Sequence, residues 1–199
     1  MSYVSGNRFL TGAEMRQNAA YIWRYLAPRG WSIGAVAGML GNMETESTIN
    51  PAIWQNLDAG NTSLGYGLVQ WTPATKYLDW CAARGLEPSS MDSALARIEW
   101  ELENGEQFYP TDKYPMTFAE FKISNKRPEL LADVFLLNYE RPADQDQPRR
   151  GTQAREWYQY LGQLDVGSEP DPEPEDPDTP ARRRHKMSLL LLLAATRRR

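Results

Sequence analysis

Two glutamates stand two residues apart in NMETESTINP (42–51), where the apolar, glycine-rich run WSIGAVAGMLG (31–41) gives way to polar residues. A carboxyl at the edge of a buried segment is a candidate for proton transfer, because partial desolvation disfavours its charged form and raises its pKa toward neutrality. At about 100° per residue, Val36, Leu40, Met43 and Ser47 fall on one helical stripe, and Glu44 and Glu46 lie about 80° to either side of it. Periodicity does not choose between the two glutamates, but it points them in different directions, so at most one looks into a given cleft. The bland alternative is that both are solvated at a fraying end. Against it, the negative end of the helix dipole disfavours carboxylates there by roughly 0.3–1 kcal/mol each, so something other than local helix stability holds them. Asp58 follows in the turn-rich NLDAGN. It is a candidate second carboxylate by position, or simply a residue that caps a turn.

The elements that must position these groups are mostly helical. Thr11 with Glu14 and Thr117 with Glu120 fit capping boxes, Ser32 caps the glycine-rich segment, and Thr72-Pro73 and Arg127-Pro128 place proline at a first helical position. The pattern predicts helices near 12–27, 33–46, 73–84, 91–104, 118–123, 128–139 and 148–161. The second is apolar almost all round and carries Gly34, Gly38 and Gly41, which let neighbouring backbones come close; it is the central helix. QNLDAGNTSLGYGLVQW (55–71) differs, with turn residues followed by a short alternation around Tyr66, Leu68 and Gln70, and predicts a small β-hairpin. The expected class is therefore α+β, mostly helical, with one small hairpin after the second helix.

Composition sets the outer limits. The 199 residues, 41% hydrophobic, suffice for one core with appendages, and the 7 Trp and 10 Tyr exceed what a minimal core needs. Aromatic faces are the usual material of carbohydrate-contacting grooves, although packing also uses them. The lone Cys81 reads as a small buried hydrophobe. The start, MSYVSGNRFL, lacks the charged segment and apolar run of a signal peptide. Residues 1–166 hold 15 basic and 20 acidic side chains, a mildly acidic balance that argues against a nucleic-acid surface. Residues 167–180 (GSEPDPEPEDPDTP), with six acids and five prolines, read as an extended linker. Residues 181–199 form a basic tail with a nine-residue apolar stretch, Met187 to Ala195. As a helix that stretch spans about 13 Å against about 30 Å of bilayer hydrocarbon, too short to cross.

Glu46-Ser47, followed by Gly67-Leu68-Val69-Gln70, is similar to the E-S and G-L-x-Q pattern of goose-type lysozymes and lytic transglycosylases. GMLGNMETESTINP, WQNLDAGNTSLGYGLVQWTP and YERP (139–142) resemble the phage tail lysozyme family, and more narrowly the lysozyme domain at the N-terminus of phage tail-knob proteins. The resemblance covers about residues 1–162. It implies a lysozyme-like fold and a peptidoglycan glycan-strand hydrolase, cleaving between N-acetylmuramic acid and N-acetylglucosamine for phage entry or host lysis. It assigns the catalytic glutamate to Glu46, which would protonate the glycosidic oxygen from an apolar frame of Met43, Trp54 and Trp71. Gln70 and Tyr66 of the hairpin, with Trp54, Trp71 and Tyr139, become candidate substrate contacts, and Glu140 with Arg141 an expected structural ion pair. The zinc-peptidase domain that accompanies such a lysozyme domain is not expected here, since a single His185 offers no metal-ligand cluster; no metal or cofactor is required. The rivals are a lytic transglycosylase, which needs only one carboxylate, and an inactive wall-binding module. Expected partners are peptidoglycan, other phage tail proteins and, through the basic tail, an anionic membrane or teichoic acid. The expected location is the virion tail, or the host cytoplasm before lysis, with action at the cell wall.

Overall fold

The computed structural model describes residues 2–164, so the linker expected at 167–180 and the tail at 181–199 lie outside the described residues. Among the described residues there are seven α-helices: α1 Gly12–Leu26, α2 Ile33–Ser47, α3 Thr75–Ala82, α4 Met91–Asn104, α5 Phe118–Lys122, α6 Pro128–Phe135 and α7 Pro148–Leu161. Their ends follow local chemistry. Thr11 and Thr117 each accept from the backbone N–H of the glutamate three residues on, whose carboxylate returns the bond to the cap backbone. Ser32 accepts from the Ala35 N–H and donates to the Ser124 carbonyl, which ties the start of α2 to the end of α5. Pro128 opens α6 as expected. Pro73 does not open α3: it follows a cis peptide bond, and the helix starts at Thr75.

α2 is the centre of the molecule, buried at every position from Gly34 to Met43. Its glycines let two helices close on it. A Cβ on Gly38 would stand 2.9 Å from the Leu131 backbone of α6, and one on Gly41 would stand 2.8 Å from the Ala154 amide of α7, both closer than real Cβ contacts. Around α2 the core gathers Ile22, Leu26, Met39, Leu40, Met43, Phe121, Leu131 and Phe135, each essentially inaccessible to solvent. Cys81 is buried there as well, a free thiol. Among the described residues no helix is long and apolar enough to cross a membrane.

Two further expectations are corrected. The β-hairpin does not form; the described residues hold only isolated antiparallel bridges, Trp54 with Tyr66 and Tyr66 with Trp71. Tyr66 and Trp71 exchange both backbone hydrogen bonds around the tight turn of Gly67–Gln70, but the neighbouring groups bond elsewhere. Gly67 N–H goes to the Ile53 carbonyl, the Gly65 carbonyl takes the Gln55 N–H, and the Leu68 carbonyl takes the Ser47 hydroxyl. Pro73 has no N–H to extend a ladder. The helix expected over 128–139 likewise changes at Leu136, where α6 widens into a π-helical turn over Leu136–Glu140 that Arg141 ends in the left-handed region, φ 50°.

Candidate active site

The last turn of α2 delivers Glu46 to a cleft of about 700 Å³, walled on the other side by the 53–56 and 69–72 turns and by the π-helical turn. The next residue anchors this geometry. Ser47 Oγ donates toward the Met43 carbonyl, 2.9 Å, and the Leu68 carbonyl, 2.8 Å, so the end of α2 and the Gly67–Gln70 turn are fastened at one atom. Thr48 then leaves the helix in the left-handed region, φ 54°, and Asn50 holds the exit by donating to the carbonyls of Gly6 and Arg8, both 2.7 Å. The run E-S-T-I-N is thus a helix stop built around a glutamate.

The two glutamates part as their spacing requires. Glu46 lines the cleft; Glu44 accepts from Trp157 Nε1, 2.8 Å, and lines a separate cavity between α1 and α7. Glu46 is half-buried and shares the cleft with the expected Trp54 and Trp71, but it also meets a charge that sequence did not suggest. Arg150 of α7, 4% exposed, reaches it from Nη2 to Oε1 at 2.6 Å. The guanidinium is held on its other edges by Asn42 Oδ1, 3.0 Å, and Gln147 Oε1, 2.7 Å. Gly41 makes this possible, since α7 packs on α2 there, one turn before Glu46.

Glu140, on the π-helical turn, lines the same cleft. Its Oε1 is buried and has no hydrogen-bond partner. Burial pushes its carboxyl well above the usual glutamate range, the nearby charge of Glu46 pushes it further, and Arg150 and Arg141 oppose this. The ion pair expected between Glu140 and Arg141 does not form. Arg141 donates instead to the carbonyls of Gln107 and Asn138 and lies over the Tyr109 ring, 4.9 Å from its centroid.

Beneath the cleft lies a buried polar knot that was not legible in the sequence. Glu101 of α4, fully buried, accepts from Trp71 Nε1 at 2.9 Å, Arg97 Nε at 2.8 Å and the Tyr139 hydroxyl at 2.5 Å. Burial raises its carboxyl while the three donors and the charge of Arg97 pull it down. Trp71 and Tyr139, 3% and 1% exposed, therefore border the cleft as its rigid base. Tyr66 is buried between Trp54 and Tyr77 and does not line the cleft. Trp54, half-buried, forms a wall of it. Gln70 lines it in the left-handed region, φ 49°, and its amide nitrogen closes the turn by donating to the Gly67 and Ile53 carbonyls. Asp58 is exposed, accepts from Asn61 Nδ2 at 2.8 Å within its own turn, and is not among the residues lining the cleft. The arrangement thus brings together Glu46, Trp54, Gln70, Trp71 and Tyr139, adds Glu140, and leaves Tyr66 and Asp58 outside.

Two carboxyls and an aromatic wall thus share one cleft at the end of a buried helix. The chain belongs to the phage tail lysozyme family, whose sequence model matches residues 17–161. Among individual proteins, it is 58% identical over 159 residues to Morphogenesis protein 1 of Bacillus phage B103, an alignment covering 80% of this chain and 43% of that relative. The chain thus spans less than half the length of the relative it matches.

Proposed function

We propose that the protein cleaves the glycan strands of peptidoglycan, between N-acetylmuramic acid and N-acetylglucosamine, as a tail-associated component of a phage particle, with Glu46 as the indispensable carboxyl. The observation that carries this reading is the position of Glu46: in a chain of the phage tail lysozyme family, it stands in the large cleft beside Trp54 and Gln70, whereas Glu44 belongs to another cavity. The similarity to a phage morphogenesis protein supports a partnership with other tail proteins and a location on the virion tail. The basic segment 181–199 is proposed to add attraction to an anionic envelope, either lipid or teichoic acid.

The test is cleavage of purified peptidoglycan. Glu46→Gln, which keeps the size of the side chain and an acceptor oxygen for Arg150, is expected to stay folded and to lose activity by roughly 10²–10⁴. Glu44→Gln is expected to stay within several-fold of wild type. Equal activity of Glu46→Gln and wild type would overturn the assignment, and negligible activity in both would favour a wall-binding module. The products separate hydrolysis from transglycosylation: reducing muramic acid ends come from water, 1,6-anhydro ends from the muramic 6-hydroxyl.

A further inference from the structure

The cavity between α1 and α7, about 460 Å³, shares no lining residue with the cleft. Met15 and Arg16 of α1, Glu44 of α2, and Glu156, Trp157 and Tyr160 of α7 line it. Its aromatic wall is fixed in place. Trp157, 7% exposed, meets Tyr160 edge to face with ring centroids 5.9 Å apart, and the Tyr160 hydroxyl donates across to the Arg16 carbonyl, 3.2 Å. Trp157 Nε1 donates to Glu44 Oε2 at 2.8 Å and so fixes the carboxylate as well. Glu44 Oε1 accepts no hydrogen bond among the described residues and is not buried.

The charge at this point is one-sided. Glu44 stands in the last turn of α2, where the helix contributes about half a negative elementary charge of its own, and it makes no ion pair among the described residues. Arg16 and Glu156, both exposed, are opposite in sign and leave that balance unchanged. A fixed carboxylate oxygen beside an indole and a phenol ring suits an ammonium group, which gives its N–H to the oxygen and is attracted by the ring faces. The apolar sides of Met15, Trp157 and Tyr160 suit an alkyl arm behind it. A sugar hydroxyl would use the oxygen but leave the negative charge uncompensated, and an anion would be repelled.

Resting on the reading of the chain as a peptidoglycan-cleaving enzyme, we propose that this cavity is a second wall-binding site that takes a primary ammonium group on an alkyl arm, of the kind borne by the peptide stems of peptidoglycan. Glu44 Oε1 receives the ammonium, and Met15, Trp157 and Tyr160 enclose the arm. Because Glu44 and Glu46 leave the same helix end toward different cavities, the wall is gripped at a point apart from the bond to be cut.

The test uses the full chain with its Trp indoles labelled with ¹⁵N, followed by NMR during titration with cadaverine. The Trp157 signal, identified by its loss in Trp157→Phe, is expected to shift in a saturable manner that weakens with salt. Glu44→Gln keeps an oxygen for Trp157 Nε1 and should bind cadaverine at least about tenfold more weakly, with cleavage of soluble glycan fragments unchanged. Chitotriose should leave the Trp157 signal in place. No saturable shift, equal cadaverine affinity in Glu44→Gln, or a response to chitotriose in place of cadaverine overturns the proposal. The wall as the source of the amine is tested by co-sedimentation with peptidoglycan in the Glu46→Gln background, which leaves the wall uncut. Acetylating the free amines of the wall should weaken binding when Glu44 is present and leave it unaltered when Glu44→Gln is added; equal binding before and after acetylation overturns the assignment to the wall. The cadaverine titration does not depend on cleavage, so a chain that binds the amine at Glu44 and never cuts glycan defeats the functional reading while upholding the cation site.

Discussion

Arg150 and Glu140 show how the chemistry of a side chain depends on what faces it. Because folding raises the pKa of Glu140 above its ordinary value, the native state binds more protons than the unfolded chain at pH values between the two. Its stabilising contribution is then fully present below the ordinary glutamate pKa and is lost as pH rises toward the folded value, with a slope of at most about 1.4 kcal/mol per pH unit. We expect the stability difference between wild type and Glu140→Gln, from urea unfolding at a series of pH values, to move in favour of the variant as pH rises from about 4. A difference independent of pH would show that Glu140 titrates normally. At this scale the sequence made Glu46 legible through its place at the end of an apolar run, and the parting of Glu44 from Glu46 through helical geometry alone. Arg150 and the aromatic partners of Glu101 were not legible: Arg150 meets Glu46 across 104 residues, and Trp71 and Tyr139 meet Glu101 across 30 and 38, and local periodicity has no access to such pairs, unlike the i,i+4 pair of Arg97 with Glu101. Glu140 was visible only as half of a supposed ion pair, since opposite charges adjacent in sequence suggest attraction even when each faces elsewhere.

Helix ends were the most readable elements, because caps are local chemistry: Thr11, Ser32 and Thr117 each accept the bond that their spacing promised. Where the backbone departs from regular structure the reading weakened. The Tyr66–Trp71 turn has an alternating pattern but spends its carbonyls on Ser47 and Gln55 rather than on a partner strand, and the widening at Leu136 has no glycine or proline to announce it. The glycines of α2 carry a sharper consequence. Gly41→Ala would drive a methyl group into the backbone of α7 between Arg150 and Ala154, where flexible side chains cannot absorb the clash. Overpacking of this kind costs about 1–3 kcal/mol or more. We expect a clear drop in the urea midpoint, together with a loss of peptidoglycan cleavage beyond what instability explains, since α7 also carries the partner of Glu46. Gly151→Ala, whose added Cβ meets Glu129 only at ordinary contact distances of 3.5 Å and above, is the control and should change both little.

Over the whole molecule, charge is unevenly divided: the first 166 residues carry an acidic excess, and seven Arg and Lys side chains lie within 181–199. Attraction of the latter to an anionic surface would amount to roughly 1 kcal/mol per residue close to it and would fade with salt. Deleting 181–199 is expected to leave cleavage of soluble glycan fragments intact while weakening co-sedimentation with anionic vesicles or intact walls, most visibly at low salt; unchanged co-sedimentation would refute the role. The other end of the chain bears on the cleft from within the described residues. Val4 is clasped through both its N–H and its carbonyl by the Asn18 side chain, Gly6 and Arg8 receive Asn50, and Asn7 accepts from the Trp54 amide while donating to the Leu57 carbonyl. The family match begins only at residue 17, yet these few residues lash the exit of α2 to the aromatic wall like a drawstring around the mouth of a bag. A fragment trimmed to the family boundaries would keep Glu46 and lose the cord between the exit of its helix and Trp54. Its far-ultraviolet circular dichroism should stay helical while its Trp fluorescence shifts to the red, so that anyone excising this domain for use elsewhere does best to begin the cut before Tyr3.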